Sequence, residues 1–291
     1  MKNGTLKYVL ITPARNEEDN IEKVINSMTS QEVLPEKWVI VSDGSTDQTD
    51  DIVKKYLQDN QWMELLRRPD HADRHFAAKV NCFNAGYANV KNLGFDIIGN
   101  LDADITFDKD YLKFLLSKFS EDSQLGVAGT PFVEESSKGY DFRFVNIEHV
   151  SGACQLFRRE CFERIGGYKP IRGGGIDWVA VTTARMKGWK TRTFTEKTCL
   201  HHRKIGTSNN SPLMVWFKQG RKDYFLGNHP IWELFRTAYQ MKKKPIFIGG
   251  ALLFMGFIWS AAIGMQKPIS KELQSFIRGE QMRRLKALVI R

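Results

Sequence analysis

The chain has 291 residues, which suits one large α/β domain with an appendage and is ample for a sizeable core. Hydrophobic residues make up 42% and charged residues 26%, so the bulk should be a soluble globular fold. A formal net charge of +10, from 43 Lys and Arg spread along the chain, fits nucleic acid, a phosphate-bearing substrate or an anionic membrane face. Cys82, Cys154, Cys161 and Cys199 lie far apart without a CxxC pair, which excludes a zinc ribbon or a disulfide-stapled scaffold and suits a reducing compartment. With no zinc pattern and no RNP-like aromatic motif, nucleic acid is not expected as a partner. Met1–Lys7 lacks the apolar stretch of a signal peptide, so the chain is expected to begin in the cytosol.

In chain order, the apolar, β-branched run Tyr8–Thr12, bounded by Pro13, predicts a buried strand. Asn16–Ser30 places Ile21, Val24, Ile25 and Met28 on one helical face. Trp38–Ser42 predicts a second strand and is followed by the turn-rich Asp43-Gly44-Ser45-Thr46-Asp47. Helical patterns follow at Asp50–Tyr56 and Ala77–Val90, and a third strand at Asp96–Leu101 ends on Asp102. Strands alternating with helices imply βαβ crossovers and a mostly parallel sheet, whose ligands bind beyond the carboxyl ends of the strands. Arg15-Asn16-Glu17, Asp43-Gly44-Ser45 and Asp102-Ala103-Asp104 all fall at those ends.

Toward the C-terminus, Pro245–Met265 holds 21 residues without a charge, about 31 Å as a helix. Lys242, Lys243 and Lys244 precede it, and Lys267 and Lys271 follow. A transmembrane span is one reading; Gly249, Gly250, Gly256 and Gly264 equally permit a re-entrant or interfacial segment, and a buried core helix is the blander alternative. Arg221–Tyr239 mixes Trp, Phe and Tyr with basic residues as an interfacial helix does, and Ser270–Leu288 has a surface-lying pattern. The expected division is therefore 1–230 for a catalytic domain and 231–291 for membrane-associated helices.

Two carboxylates at i and i+2 just past a strand end, Asp102 and Asp104, suit a hard cation such as Mg²⁺ or Mn²⁺, which takes oxygen ligands and leaves positions open for phosphate and water. An Asp at the position of Asp43 can accept hydrogen bonds from a ribose or base; an ordinary turn with Ser45 or Thr46 capping the next helix explains it as well. Taken together and in this order, Pro13-Ala14-Arg15-Asn16-Glu17, Val41–Asp47 and Asp102-Ala103-Asp104 resemble the motifs of family 2 glycosyltransferases, over roughly Tyr8 to Arg203.

That resemblance implies the nucleotide-sugar-binding fold called GT-A, a nucleotide-diphosphate sugar donor, and a glycan or lipid-linked acceptor. It implies that the Pro13–Glu17 loop, with Pro13, Arg15 and Glu17, and Asp43 bind base and ribose. Arg74 and Lys79 would hold the diphosphate, Asp102 would reach the ribose or the metal, and Asp104 would be the principal metal ligand. Ser151–Cys154 and Phe157–Arg159 resemble the acceptor side, and Gly173–Trp178 stands where relatives carry their acidic catalytic motif. Asp177 is the base this implies, although many relatives show Glu-Asp where this chain has Ile176-Asp177, and an Asp at this point also caps the following helix, Trp178–Lys187. Of His201 and His202 one should face the site; His202 is assigned to the metal and Arg203 to the diphosphate. The expected enzyme is an inverting hexosyltransferase of cell-envelope or exopolysaccharide synthesis on the cytoplasmic face of the cell membrane. A non-catalytic scaffold and a nucleotidyltransferase are the rivals; Tyr8–Glu18 lacks the glycines of the latter's phosphate loop.

Overall fold

A computed structural model of the chain describes residues 6–69, 76–134, 147–203 and 212–289. The chain divides into two compact units, Met1–Lys204 and Ile205–Arg291. The first contains β1 (Tyr8–Ala14), α1 (Ile21–Thr29), β2 (Lys37–Asp43), α2 (Thr49–Leu57), β3 (Met63–Arg68), α3 (Phe76–Val90), β4 (Ile97–Leu101), β5 (Ile105–Thr106) and α4 (Tyr111–Glu121). It continues with β6 (Leu125–Gly129), β7 (Phe132–Glu134), β8 (Cys154–Arg158), α5 (Arg159–Arg164), α6 (Ile176–Met186), β9 (Lys190–Thr193) and β10 (Cys199–His201).

Seven strands form one sheet in the order β3-β2-β1-β4-β8-β6-β9. All neighbours pair in parallel except β8, which runs antiparallel to both β4 and β6. Strand alternation sorts the core into two layers. Leu10, Trp38 and Ile40 face α1 and α4, whose Ile21, Val24, Ile25, Leu112 and Leu115 are fully buried. Val9, Ile11, Val39 and Val41 face the other way, onto Val80 and Phe83 of α3 and Ala180, Val181 and Ala184 of α6. Each of the larger side chains contributes about 1.5–3 kcal/mol on burial, so the sheet is fixed in register from both sides.

In the first unit the predicted strands and helices fall close to where expected. The first helix begins at Ile21 because Asn16 sits at φ 53°, and the Glu17 carbonyl accepts from Asn20 and Ile21 to start the turn there. β3, not anticipated from the sequence, is an edge strand, which tolerates its charged Met-Glu-Leu-Leu-Arg-Arg composition.

The second unit contains α7 (Pro212–Phe225), α8 (Pro230–Met241), α9 (Ile248–Ala262) and α10 (Lys271–Val289). The stretch 221–239 is thus two helices rather than one. Gly227 at φ 85° ends α7, Pro230 opens α8, and His229 Nδ1 accepts from the Ile231 amide at 3.1 Å. α7, expected with the catalytic domain, belongs to this second unit and packs on α9. The apolar stretch 245–265 yields a helix of 15 residues, about 22 Å long. Among the described residues no helix is long and apolar enough to cross a membrane.

α7 and α9 meet backbone to backbone. A Cβ at Gly220 would lie 1.8 Å from the Leu253 carbonyl oxygen, and one at Gly256 would lie 2.1 Å from that of Phe217. Small residues permitting such approach are a habit of helices packed where little apolar driving force exists between them. Gly256→Ala should therefore lower the stability of this unit by about 1–3 kcal/mol, outweighing the gain of up to about 1 kcal/mol in helix propensity. Gly279→Ala on α10, where a Cβ meets nothing closer than 3.6 Å, should be neutral or stabilising. Thermal unfolding of the two variants checks the contrast.

Candidate active site

The parallel strands carry their polar ends to one edge, as the chain order demands. There a cavity of about 730 Å³ is lined by Pro13, Arg15, Glu17, Asp43, Lys79, Asp102, Asp104 and Arg203 among others. These are all but three of the residues singled out in the sequence. Arg74 lies outside the described residues; His202 and Asp177 are near but not in the lining.

The loop after β1 is locked to the loop after β2. Asn16, held at φ 53°, accepts from the Thr46 amide at 2.9 Å, and the Glu17 amide donates to Thr49 Oγ1 at 2.7 Å. Asn tolerates this left-handed backbone because its short polar side chain bonds locally. Gly44 at φ 65° turns the chain behind Asp43. Asp43 is paired with Arg68 at 2.7 Å, because the parallel register of β2 and β3 sets the two residues side by side.

Asp102 and Asp104 leave β4 on a short turn and are held in different ways. Asp102 Oδ1 accepts from Lys79 Nζ and, at 2.9 Å, from Asn100 Nδ2, which also donates to the Gly152 carbonyl at 2.6 Å. Gly152 in turn donates its amide to Asp177 Oδ2 at 3.3 Å, and a Cβ there would press on the Asp177 side chain at 3.1 Å. Asp102, Asn100, Gly152 and Asp177 are thus strung together, with Asp177 in the first turn of α6. Burial opposes the Lys79 ammonium, but Asp102 first, then Asp177 and Asp104, more than offset it and hold its pKa above the ordinary value.

Asp104 is buried, and its carboxyl is pushed up by that burial and by Asp102, against the pull of His201, Arg203 and Lys79. Glu17 is pushed up to about 7 by burial, with Arg203 lowering it and Asp104 raising it. Arg203 Nη2 lies 2.7 Å from Glu17 Oε2, and its Nε 3.9 Å from Asp104 Oδ2.

The adjacent histidines diverge, as successive side chains on extended backbone do. His201 Nε2 is 3.6 Å from Asp104 Oδ2, and its buried Nδ1 has no hydrogen-bond partner among the described residues. His202, the one assigned to the metal from sequence, sets its Nε2 2.9 Å from Thr106 Oγ1, and its backbone amide donates to the Asp104 carbonyl at 3.0 Å. Among the described residues no group of three or more His, Cys, Asp or Glu converges tightly enough to enclose an ion. The donor set is an open one: Asp104 with His201 on one side and Asp102 on the other. It fits a cation of the Mg²⁺ or Mn²⁺ type that draws its remaining ligands from phosphate and water.

Ala78, Cys82 and Arg172 also line the cavity and were not anticipated. Arg172 precedes Gly174 and Gly175, at φ 80° and 84°, which turn the chain into α6. A basic residue beside a glycine run ahead of Asp177 was the available signal. Arg68 could have been found only by first recognising β3. All four cysteines are free and buried.

Comparison with known proteins identifies the family and the fold. Residues 9–166 match the family described as Glycosyl transferase family 2. A poly-β-1,6-N-acetyl-D-glucosamine synthase of Staphylococcus aureus (strain MSSA476) is 27% identical over 123 residues, 42% of this chain and 28% of that protein. A 4,4'-diaponeurosporenoate glycosyltransferase of S. aureus (strain bovine RF122 / ET3-1) is 24% identical over 210 residues, 63% of this chain. The chain spans about half the length of that relative and less of the synthase. Among solved structures, the mannosyltransferase PcManGT of Pyrobaculum calidifontis, in complex with GDP-Man and Mn²⁺, superposes with a TM-score of 0.59 at 17% identity, covering 99% of this chain and 82% of that one. S. aureus TarS in complex with UDP-GlcNAc gives 0.57 at 14%, covering 94% and 78%. The α/β architecture is that of the GT-A neighbours, and the chain belongs to glycosyl transferase family 2.

Proposed function

We propose that this glycosyltransferase moves a hexosyl unit, with inversion, from a nucleotide-diphosphate sugar to a hydroxyl of a glycan or lipid-linked acceptor, using Mg²⁺ or Mn²⁺. The observation that carries the reading is the cavity into which the ends of β1, β2 and β4 deliver Glu17, Asp43, Asp102 and Asp104 alongside Lys79 and Arg203. Asp43 and the Pro13–Glu17 loop, with Arg15, would bind base and ribose. Lys79 and Arg203 would hold the diphosphate, and Arg203 is suited to two-pronged phosphate contact.

Asp104 and His201, with Asp102 beside them, would hold the divalent cation, which when bound neutralises charge that grows on the departing diphosphate. Asp177 would take the proton of the attacking hydroxyl; the Gly152 amide stabilises its carboxylate and fixes the side chain. The neighbours crystallised with GDP-Man, UDP-GlcNAc and Mn²⁺ support a nucleotide-sugar donor and a cation. The polysaccharide synthase and the diaponeurosporenoate glycosyltransferase support a role in cell-envelope or exopolysaccharide synthesis, and the reading places the enzyme at the cytoplasmic face of the cell membrane.

A panel of UDP- and GDP-sugars with Mn²⁺ or Mg²⁺, assayed for release of nucleoside diphosphate, tests the reading; no turnover with any donor and acceptor would overturn it. In the active pairing, Asp177→Asn should lower kcat by about 10²–10⁴-fold with little change in donor affinity. Unchanged kcat would remove Asp177 from the role of base.

The carboxyls of Asp104 and Glu17 are both raised, and a cation binds the deprotonated form. Mn²⁺ affinity in the presence of nucleoside diphosphate should therefore increase as pH rises, with proton uptake by the buffer. Calorimetry in buffers of different ionisation enthalpy measures both. In the same experiment Asp104→Asn should weaken Mn²⁺ by at least about tenfold.

A further inference from the structure

One helix of the second unit, α8, is built with its polarity reversed. On α8 the residues turned inward are Glu233, Thr237 and Gln240, spaced four and three apart, while Ile231, Leu234 and Phe235 stand on the exposed side. An amphipathic helix of a water-soluble protein does the opposite. A polar network lies against this face without satisfying all of it: Arg236 pairs with Asp223, Gln219 donates to Asp223 at 3.0 Å, Gln281 Nε2 donates to Asn228 Oδ1 at 2.7 Å and Asn228 Nδ2 donates to Glu233 Oε2 at 3.4 Å, while Glu233 Oε1, Thr237 Oγ1 and Gln240 Nε2 have no hydrogen-bond partner among the described residues. Burial, with Asp223 beside it, pushes the Glu233 carboxyl up to about 8, so this interior also limits its own charge.

α9 differs in its interior but shares the apolar outer face, with apolar residues on every side. Gly249, Gly250, Leu253, Gly256, Phe257 and Ser260 face inward. Ile248, Met255, Ile258 and Trp259 lie on the opposite face, and Phe247 just before the helix is 70% exposed and Trp259 56%. Exposed apolar residues in runs of this kind mark a surface that is covered in use.

Charge identifies the cover. Residues 205–291 hold fourteen Lys and Arg against four Asp and Glu, a net of +10, whereas residues 1–204 hold 29 of each. The whole excess of the chain therefore lies in this one unit. Two of its four acids, Asp223 and Glu233, are buried, while Lys242, Lys243 and Lys244 are exposed at the junction of the two apolar helices. A second copy would bring like charge to like. An anionic lipid headgroup layer above an acyl phase matches both features.

We propose that the second unit inserts into one leaflet of an anionic bilayer through the outward faces of α8 and α9, with Lys242–Lys244 at the headgroup level and without spanning the membrane. This rests on the membrane reading of the acceptor's location and adds the surface and lipid chemistry that serve it. Full-length protein is floated with vesicles of phosphatidylcholine alone or with phosphatidylglycerol. The wild type should partition at least tenfold more strongly onto the anionic vesicles. Leu234→Glu with Phe235→Glu, and separately Met255→Glu with Trp259→Glu, should each lower partitioning at least tenfold on both vesicle types. K242Q/K243Q/K244Q should lose the preference for phosphatidylglycerol while keeping the residual binding to phosphatidylcholine.

Because a face variant can misfold, a second measurement uses conservative chemistry. Brominated acyl chains should quench tryptophan emission more in the wild type than in Trp259→Phe. Face variants that float as well as the wild type, together with equal quenching, overturn this surface while leaving membrane binding intact. A wild type that binds neither vesicle overturns both readings. A dimer on light scattering that Leu234→Glu dissociates assigns the face to a second copy and likewise overturns the proposal.

Discussion

Gathering carboxylates at one edge of a sheet is the constraint around which the first unit is organised. Asp43, Asp102, Asp104 and Glu17 all line one cavity, and their mutual repulsion would be costly without counter-charges placed among them. Lys79 meets Asp102, Arg68 meets Asp43, and Arg203 bridges Glu17 and Asp104. Lys79 and Arg203 remain partly open to solvent, so these pairs add little to stability. Their effect is to keep the charges of the cavity close to balance until a charged donor and its cation enter. Burial, with Asp102 beside it, outweighs the positive groups around Asp104, which is why it keeps a raised affinity for protons and suits a cation.

Much of this was legible in the order of residues. Buried strands announce themselves through β-branched runs, and polar triplets at their ends name the edge where a ligand binds, so β1, β2, β4 and the Pro13, Asp43 and Asp102 loops were readable. The rest depends on contacts between distant segments. β3 is polar because it is an edge, which hides both the strand and Arg68. Which histidine turns its ring toward the Asp104 carboxylate depends on which way an extended segment is turned, and that is set by its pairing with β5. The resemblance supplied Asp177, yet its link to Asp102 runs through Asn100 and Gly152, which no spacing rule reveals.

In the second unit the sequence pattern left the form open. A 21-residue apolar stretch permits a span, a re-entrant segment or a buried helix, and the helix within it covers 15 residues. Equally, basic residues spread along the whole chain concealed an imbalance that comes from the acids: carboxylates crowd the first 204 residues and thin out afterwards. Counting one sign of charge misses what counting both shows.

That imbalance bears on handling. A fragment ending at Lys204 would carry no formal net charge, while the intact chain has an isoelectric point near 9.4. Neutral surfaces lose the colloidal repulsion that keeps protein molecules apart in solution. Trimming away the greasy C-terminal helices to obtain a better-behaved catalytic piece would remove one cause of aggregation and introduce another, and buffers away from neutrality would be needed to recover the lost repulsion.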